Sequence, residues 1–233
     1  MIRALAALLV LFAAWPAAAQ EPVDVELVFL ADASRSIDDG EIRFQRQGYA
    51  AALTHPEVLS AIAGGYLQKI AVTYVEWGDA SSQEIVVPWR VIDGPASAEH
   101  FAKQLLATPR VATGPNAIGS ALAFGHAMIL ANDFEGTRKV IDFSADSAWT
   151  MGGVPILEAR AAALGDGIVI NGLAILCRAQ DCGGRPIDYD LEAAFQTLIT
   201  GGPGSFVVTA DDRARFAAAV RRKILLEVAG LMP

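Results

Sequence analysis

A chain of 233 residues that is 53% hydrophobic and only 19% charged is too apolar to stay disordered, and its length suits one α/β core better than two. Eighteen Lys+Arg against 26 Asp+Glu give a net charge of −8, which leaves no broad basic face for phosphates, so nucleic acid and anionic membrane surfaces are not expected partners. Two cysteines are too few for a disulfide scaffold or a Cys-rich zinc site.

The amino terminus accounts for part of the apolar excess. Arg3 supplies a positive start, Ala4 to Ala14 form an apolar run, Pro16 breaks it, and Ala17-Ala18-Ala19 satisfies the small-x-small rule before Gln20. The pattern predicts a cleaved signal peptide over 1–19 and one mature domain over 20–233. The run is shorter than the roughly 20 residues a spanning helix needs, and no later stretch reaches that length, so no membrane span is expected after cleavage. The mature chain is then periplasmic or secreted. In such an oxidising compartment Cys177 and Cys182, four residues apart in between, are expected to close a local disulfide that shapes their loop. Free thiols are the alternative, and the spacing is not the CxxC of a redox pair.

Along the mature chain, β-branched apolar runs alternate with amphipathic stretches. Val25 to Leu30 reads as a strand, Asp39 to Leu53 as a helix, and His55-Pro56-Glu57-Val58 as a turn. Ile70 to Val75 is a second strand, and Glu84 to Val91 follows Trp77 across a polar turn as an antiparallel hairpin partner. Helical spacing then covers Ala96 to Leu106 and Ala117 to Ala131, before a strand at Lys139 to Phe143 and a helix at Ile156 to Leu164. Ile168 to Ile175, Leu191 to Ile199, Phe206 to Val208 and Asp211 to Val228 continue the alternation, with Gly201 to Gly204 as a turn. Several strands are apolar on both faces and so need cover on both sides. The predicted fold is a three-layer, doubly wound α/β domain with a mostly parallel sheet and one antiparallel edge strand. On the last helix Arg213, Arg215, Arg221, Arg222 and Lys223 are expected to form a solvated basic face.

Open parallel sheets place ligands beyond the carboxyl ends of their strands. The first strand runs into Asp32-Ala33-Ser34-Arg35-Ser36, whose alternation lets one carboxylate and two hydroxyls converge, an oxygen set suited to Mg²⁺, Mn²⁺ or Ca²⁺. Helix capping by Ser36 or Asp38 is the plainer alternative. A second loop, Ser144-Ala145-Asp146-Ser147, brings another carboxylate to the same edge, and Gly114-Pro115-Asn116 opens a helix there.

At these residues the chain resembles the von Willebrand factor A-like fold with its metal-ion-dependent adhesion site, whose pattern is Asp-x-Ser-x-Ser, a distant Thr and a later Asp. Asp32, Ser34 and Ser36 match the first element and Asp146 the third. Asn116 holds the threonine's place, where its amide oxygen can ligate or where it simply caps the turn; Thr113, three residues earlier, is the other candidate. The similarity runs through Ile70 to Trp77, Ile170-Asn171-Gly172-Leu173 and Gly201 to Val208. It is a likeness to an uncharacterised branch exported by Gram-negative bacteria.

The resemblance implies one divalent cation, Mg²⁺ first, held by Asp32, Ser34, Ser36, Asn116 and Asp146, and a monomeric binding module whose protein partner supplies a Glu or Asp. Arg35 and Trp149 would stand on the rim, where Trp149 either anchors the partner or packs the loop. The competing classes are a metal-dependent hydrolase and a structural protein with a degenerate site. No G-x-S-x-G elbow, Walker A lysine or G-x-G-x-x-G after the first strand supports an enzyme, and His55, His100 and His126 lack metal-ligand spacing.

Overall fold

In the computed structural model, residues 19–176, 188–211 and 213–230 are described, so residues 1–18 of the predicted signal peptide and the Cys177/Cys182 pair lie outside the described residues. The elements in chain order are β1 (Glu21–Asp32), α1 (Asp39–Leu53), α2 (Pro56–Ala63), β2 (Ile70–Trp77), β3 (Gln83–Ile92), α3 (Pro95–Ala107), α4 (Ile118–Leu130) and β4 (Phe134–Ala145). They continue with α5 (Ile156–Gly165), β5 (Val169–Ile175), α6 (Leu191–Ala194, prolonged by one π-helical turn over Phe195–Ile199), β6 (Val207–Ala210) and α7 (Arg213–Ala229). The six strands lie in the order β3-β2-β1-β4-β5-β6, all parallel except β3, as the alternation predicts.

Period-2 alternation in β1 divides the core. Leu27, Phe29 and Ala31 face α1, α2, α3 and α7, while Val28 and Leu30 face the layer of α4, α5 and α6. On the first face Tyr49 of α1 meets Phe29 edge-on at 5.0 Å and Tyr74 of β2 at 5.3 Å. On the second, Trp77 stacks on Phe143 at 5.1 Å, and Phe195 closes behind. Within the sheet, the β1–β4 ladder starts earlier than the apolar runs suggest, at Glu21↔Phe134. Buried Glu26 explains the extension, since its carboxylate accepts from the Gly136 amide at 2.6 Å and from the Asn132 side chain at 2.5 Å.

Two expectations are corrected. The His55 to Val58 turn is the start of α2: Pro56 sits in its first turn, where no amide donor is needed, and the His55 ring accepts from the Glu57 amide as N-cap. Lys223 is not on a solvated face but wholly buried. Its Nζ lies 2.7 Å from Asp142 of β4 and 2.7 Å from Glu227 one turn on, while Tyr49 donates to Asp142 and Asn171 of β5 to Glu227. The inner stripe of α7 therefore runs Phe216, Val220, Lys223, Ile224, Glu227, with a paired charge inside an apolar row.

At the hairpin edge β3 is irregular. Pro88 and Trp89 face only Thr73 between the Val72↔Arg90 and Tyr74↔Val87 pairs, and a second register shift follows at Val86. The opposite edge, β6, has four residues. Among the described residues no helix is long and apolar enough to cross a membrane.

Candidate metal centre

The chain leaves β1 toward β2 on one side and enters β4 on the other, so the carboxyl ends of these neighbouring strands flank the switch point of the sheet. Asp32 ends β1 and Asp146 follows the last residue of β4. Ala31 pairs with Ser144, which sets the two carboxyl groups side by side.

The first loop is built around Asp32. Its Oδ1 accepts from the Ser34 amide at 2.8 Å, turning the chain so that the Ser34 and Ser36 hydroxyls lie 3.3 Å apart. Neither serine is needed as a cap. Asp38 does that work, accepting from the Glu41 amide at 2.8 Å while Glu41 accepts from the Asp38 amide at 2.9 Å. Gln45 and Arg110, which the sequence reading missed, hold this loop from behind. The Gln45 amide donates to the Asp32 carbonyl at 3.2 Å, and the Arg110 guanidinium donates to the Ala33 carbonyl at 2.7 Å and to Asp39 at 2.9 Å. The signal for Arg110 was a lone basic residue in the stretch between α3 and α4, legible only once that stretch is known to cross the site.

The loop before α4 brings Asn116. It is buried, and α4 has Ala117 as its N-cap with no side-chain capping bond, so Asn116 is not a helix cap. Its Nδ2 donates to the Ser147 hydroxyl, and its backbone carbonyl accepts from the Met151 amide at 2.5 Å. Thr113 is exposed and fastened by its backbone to the β2–β3 turn, accepting from the Asp79 amide and donating to Ser82. Between them Gly114 adopts φ +110°, and a β-carbon there would lie 2.5 Å from the Asp79 carboxylate, so this turn requires glycine. Its carbonyl accepts from the Arg35 amide at 2.9 Å, which ties the first two loops together.

Three buried oxygens, one from each loop, have no hydrogen-bond partner: Asp32 Oδ2, Asn116 Oδ1 and Asp146 Oδ1. Such acceptors are costly unless something positive meets them. The electrostatics agree. Burial, with the Asp146 charge beside it, pushes the Asp32 carboxyl up to about 8 against the Ser34 hydrogen bonds, and burial raises Asp146 as well, with Glu41 adding to the rise and Ser36 opposing it. Two carboxylates, hydroxyls and an amide oxygen are the donors of a hard divalent cation rather than of a thiolate or imidazole site. Among the described residues no group of three or more His, Cys, Asp or Glu offers another metal site. His55 caps α2 and His126 pairs with Asp166 at 2.7 Å, both outside these loops. Arg35 is exposed, and Trp149 is 63% exposed, so its ring does not pack the loop.

Residues 22–232 match a family described as "Protein of unknown function (DUF1194)". No curated protein matches the chain. Among solved structures, the pilus adhesin SpaC of Lactobacillus rhamnosus GG is alike at a TM-score of 0.62 with 15% identity, over 91% of this chain and 31% of that one. Proximal thread matrix protein 1 of the mussel byssus, in a form with a zinc-occupied MIDAS motif, is alike at a TM-score of 0.62 with 14% identity, over 90% and 49%. The von Willebrand factor domain of the pilus tip protein Mfa5 of Porphyromonas gingivalis, at a TM-score of 0.58 and 10% identity, is covered over 97% of its length by 91% of this chain. The chain thus has the von Willebrand A-like fold and spans about a third to a half of the first two proteins.

Proposed function

The chain belongs to the DUF1194 family, and we propose that it is an exported binding module, not an enzyme, that recognises an acidic group of a protein partner through a divalent cation. The observation that carries the reading is the set of three partnerless buried oxygens, contributed by three separate loops at the switch point of the sheet. Its support from comparison is the fold shared with an adhesin and with a protein whose MIDAS motif holds zinc. In this reading Asp32, Ser34, Ser36, Asn116 and Asp146 hold the ion, with Mg²⁺ as the favoured occupant, and Arg35 and Trp149 form the rim. Bound there, the cation supplies a positive centre for a Glu or Asp of the partner. Asp32 and Asp146 bring only two negative charges and the other ligands are neutral, so a divalent charge is not over-neutralised and a further carboxylate is still attracted. A periplasmic or secreted location follows from the signal-peptide pattern.

Cation binding is tested by thermal melting of the full chain in EDTA and in excess Mg²⁺, Mn²⁺ or Ca²⁺. A ligand at about 100 times its Kd stabilises by about 2.7 kcal/mol, which for a domain of this size raises Tm by roughly 5–10 °C. No rise with any of the three ions would remove the site. For Asn116 the expectation is that Asn116→Thr keeps calorimetric Mg²⁺ affinity, whereas Asn116→Leu weakens it about tenfold or more. Equal affinity in wild type and Asn116→Leu would take Asn116 out of the ligand set.

A further inference from the structure

Three large apolar side chains stand in water on segments fastened to the cation site: Trp149, Met151 (49% exposed) and Tyr189 (42% exposed). Their positions are set by bonds to Asn116 and to the loop that follows Asp146. The Met151 amide and the Thr150 hydroxyl both donate to the Asn116 carbonyl, and the Tyr189 hydroxyl accepts from the Ala148 amide at 2.9 Å. Val111, also exposed, adjoins Arg110, whose guanidinium holds the carbonyl of Ala33 next to Asp32. Large apolar groups that a well-bonded loop keeps outward are the material of interface anchors.

The charges around this rim restrict what can settle on it. Arg35 is exposed beside Ser34, whereas Asp188 and Asp190 stand exposed on either side of Tyr189, and Asp38 is exposed at the start of α1. One negative group is drawn to the site, and further negative groups meet carboxylates. Resting on the cation reading above, we infer that the partner presents a single Asp or Glu flanked by a large apolar side chain, the carboxylate seated at the cation site and the apolar group against Trp149 and Met151. A polyacidic tract is disfavoured by the same fringe of aspartates.

The test is selection of phage-displayed random linear peptides on the full chain in Mg²⁺ with elution by EDTA, followed by affinity measurement of the selected peptide. The expected sequences share one acidic residue next to Trp, Phe, Leu or Met, and changing that acid to its amide abolishes binding. Trp149→Ala is expected to lose about tenfold more in peptide affinity than in Mg²⁺ affinity, with Met151→Ser in the same direction. Selected peptides with acidic runs, acids lacking an apolar neighbour, no Mg²⁺-dependent selection, or full affinity in Trp149→Ala would overturn the inference. Its failure is separable from that of the cation site, because the Mg²⁺-induced melting shift reads the site without any peptide.

Discussion

Lys223→Met is expected to cost about 3–5 kcal/mol, because it leaves Asp142 and Glu227 buried without the cation they share. Against a total stability of about 5–15 kcal/mol this brings the domain near its folding limit, which urea denaturation will read as a lower midpoint at unchanged slope. Lys223→Met combined with Glu227→Gln should recover part of the loss by removing one of the two carboxyl groups that face each other there. A loss under about 1 kcal/mol would show that the pair is dispensable. The same cluster sets a pH dependence. Burial, helped by Asp142 and opposed by Lys223, pushes the Glu227 carboxyl up to about 8 from an ordinary 4.5. The folded state then holds a proton that the unfolded chain releases, so this group's contribution is full below about pH 4.5 and is lost as pH rises to about 8. Glu227→Gln should flatten that decline. The comparison belongs in saturating Mg²⁺, since Asp32 of the metal-free protein titrates in the same direction.

Asp146→Ala is expected to abolish partner capture and weaken Mg²⁺ binding by about 100-fold, while the circular dichroism spectrum stays that of the wild type. The fold is indifferent because its stability comes from burial between the layers, roughly 25 cal/mol per Å² of apolar surface, to which a carboxylate beyond the end of β4 adds little. In EDTA the variant should melt at or above the wild type, because Asp32 no longer faces a second carboxylate. Wild-type affinity also carries a proton signature. With Asp32 pushed up to about 8, the ion displaces a proton, so calorimetric affinity should climb about tenfold per pH unit below that value and level off above it. A metal-free Asp146→Ala protein that melts far below wild type, or one that still captures partner at full strength, would sink the adhesion reading of this loop.

The sheet and its covering helices were legible because apolar periodicity is local, and Asp32, Ser34, Ser36 and Asp146 could be named as candidate ligands because strand ends are legible too. What escaped depends on partners distant in sequence. Lys223 reads as a surface residue until Asp142, some 80 positions earlier, is placed against it. Arg110 reads as a loop charge until the Ala33 carbonyl is placed under its guanidinium. Asn116 allowed a cap or a ligand from sequence, and only the start of α4 at Ile118, with Ala117 as its N-cap, removes the cap. Trp149 could have turned either way, since a loop tryptophan carries no periodicity to say which side faces water.

The two borders of the sheet bear on whether copies of the chain can add to one another. A regular strand at a border offers its free amides and carbonyls as a template on which a second chain can add, the first step of edge-to-edge aggregation. Here the β3 border is twisted by two register shifts and lacks the amide of Pro88, and the β6 border ends after four residues. Among the described residues neither presents a flat row long enough to propagate. Strand addition at either border is thereby disfavoured.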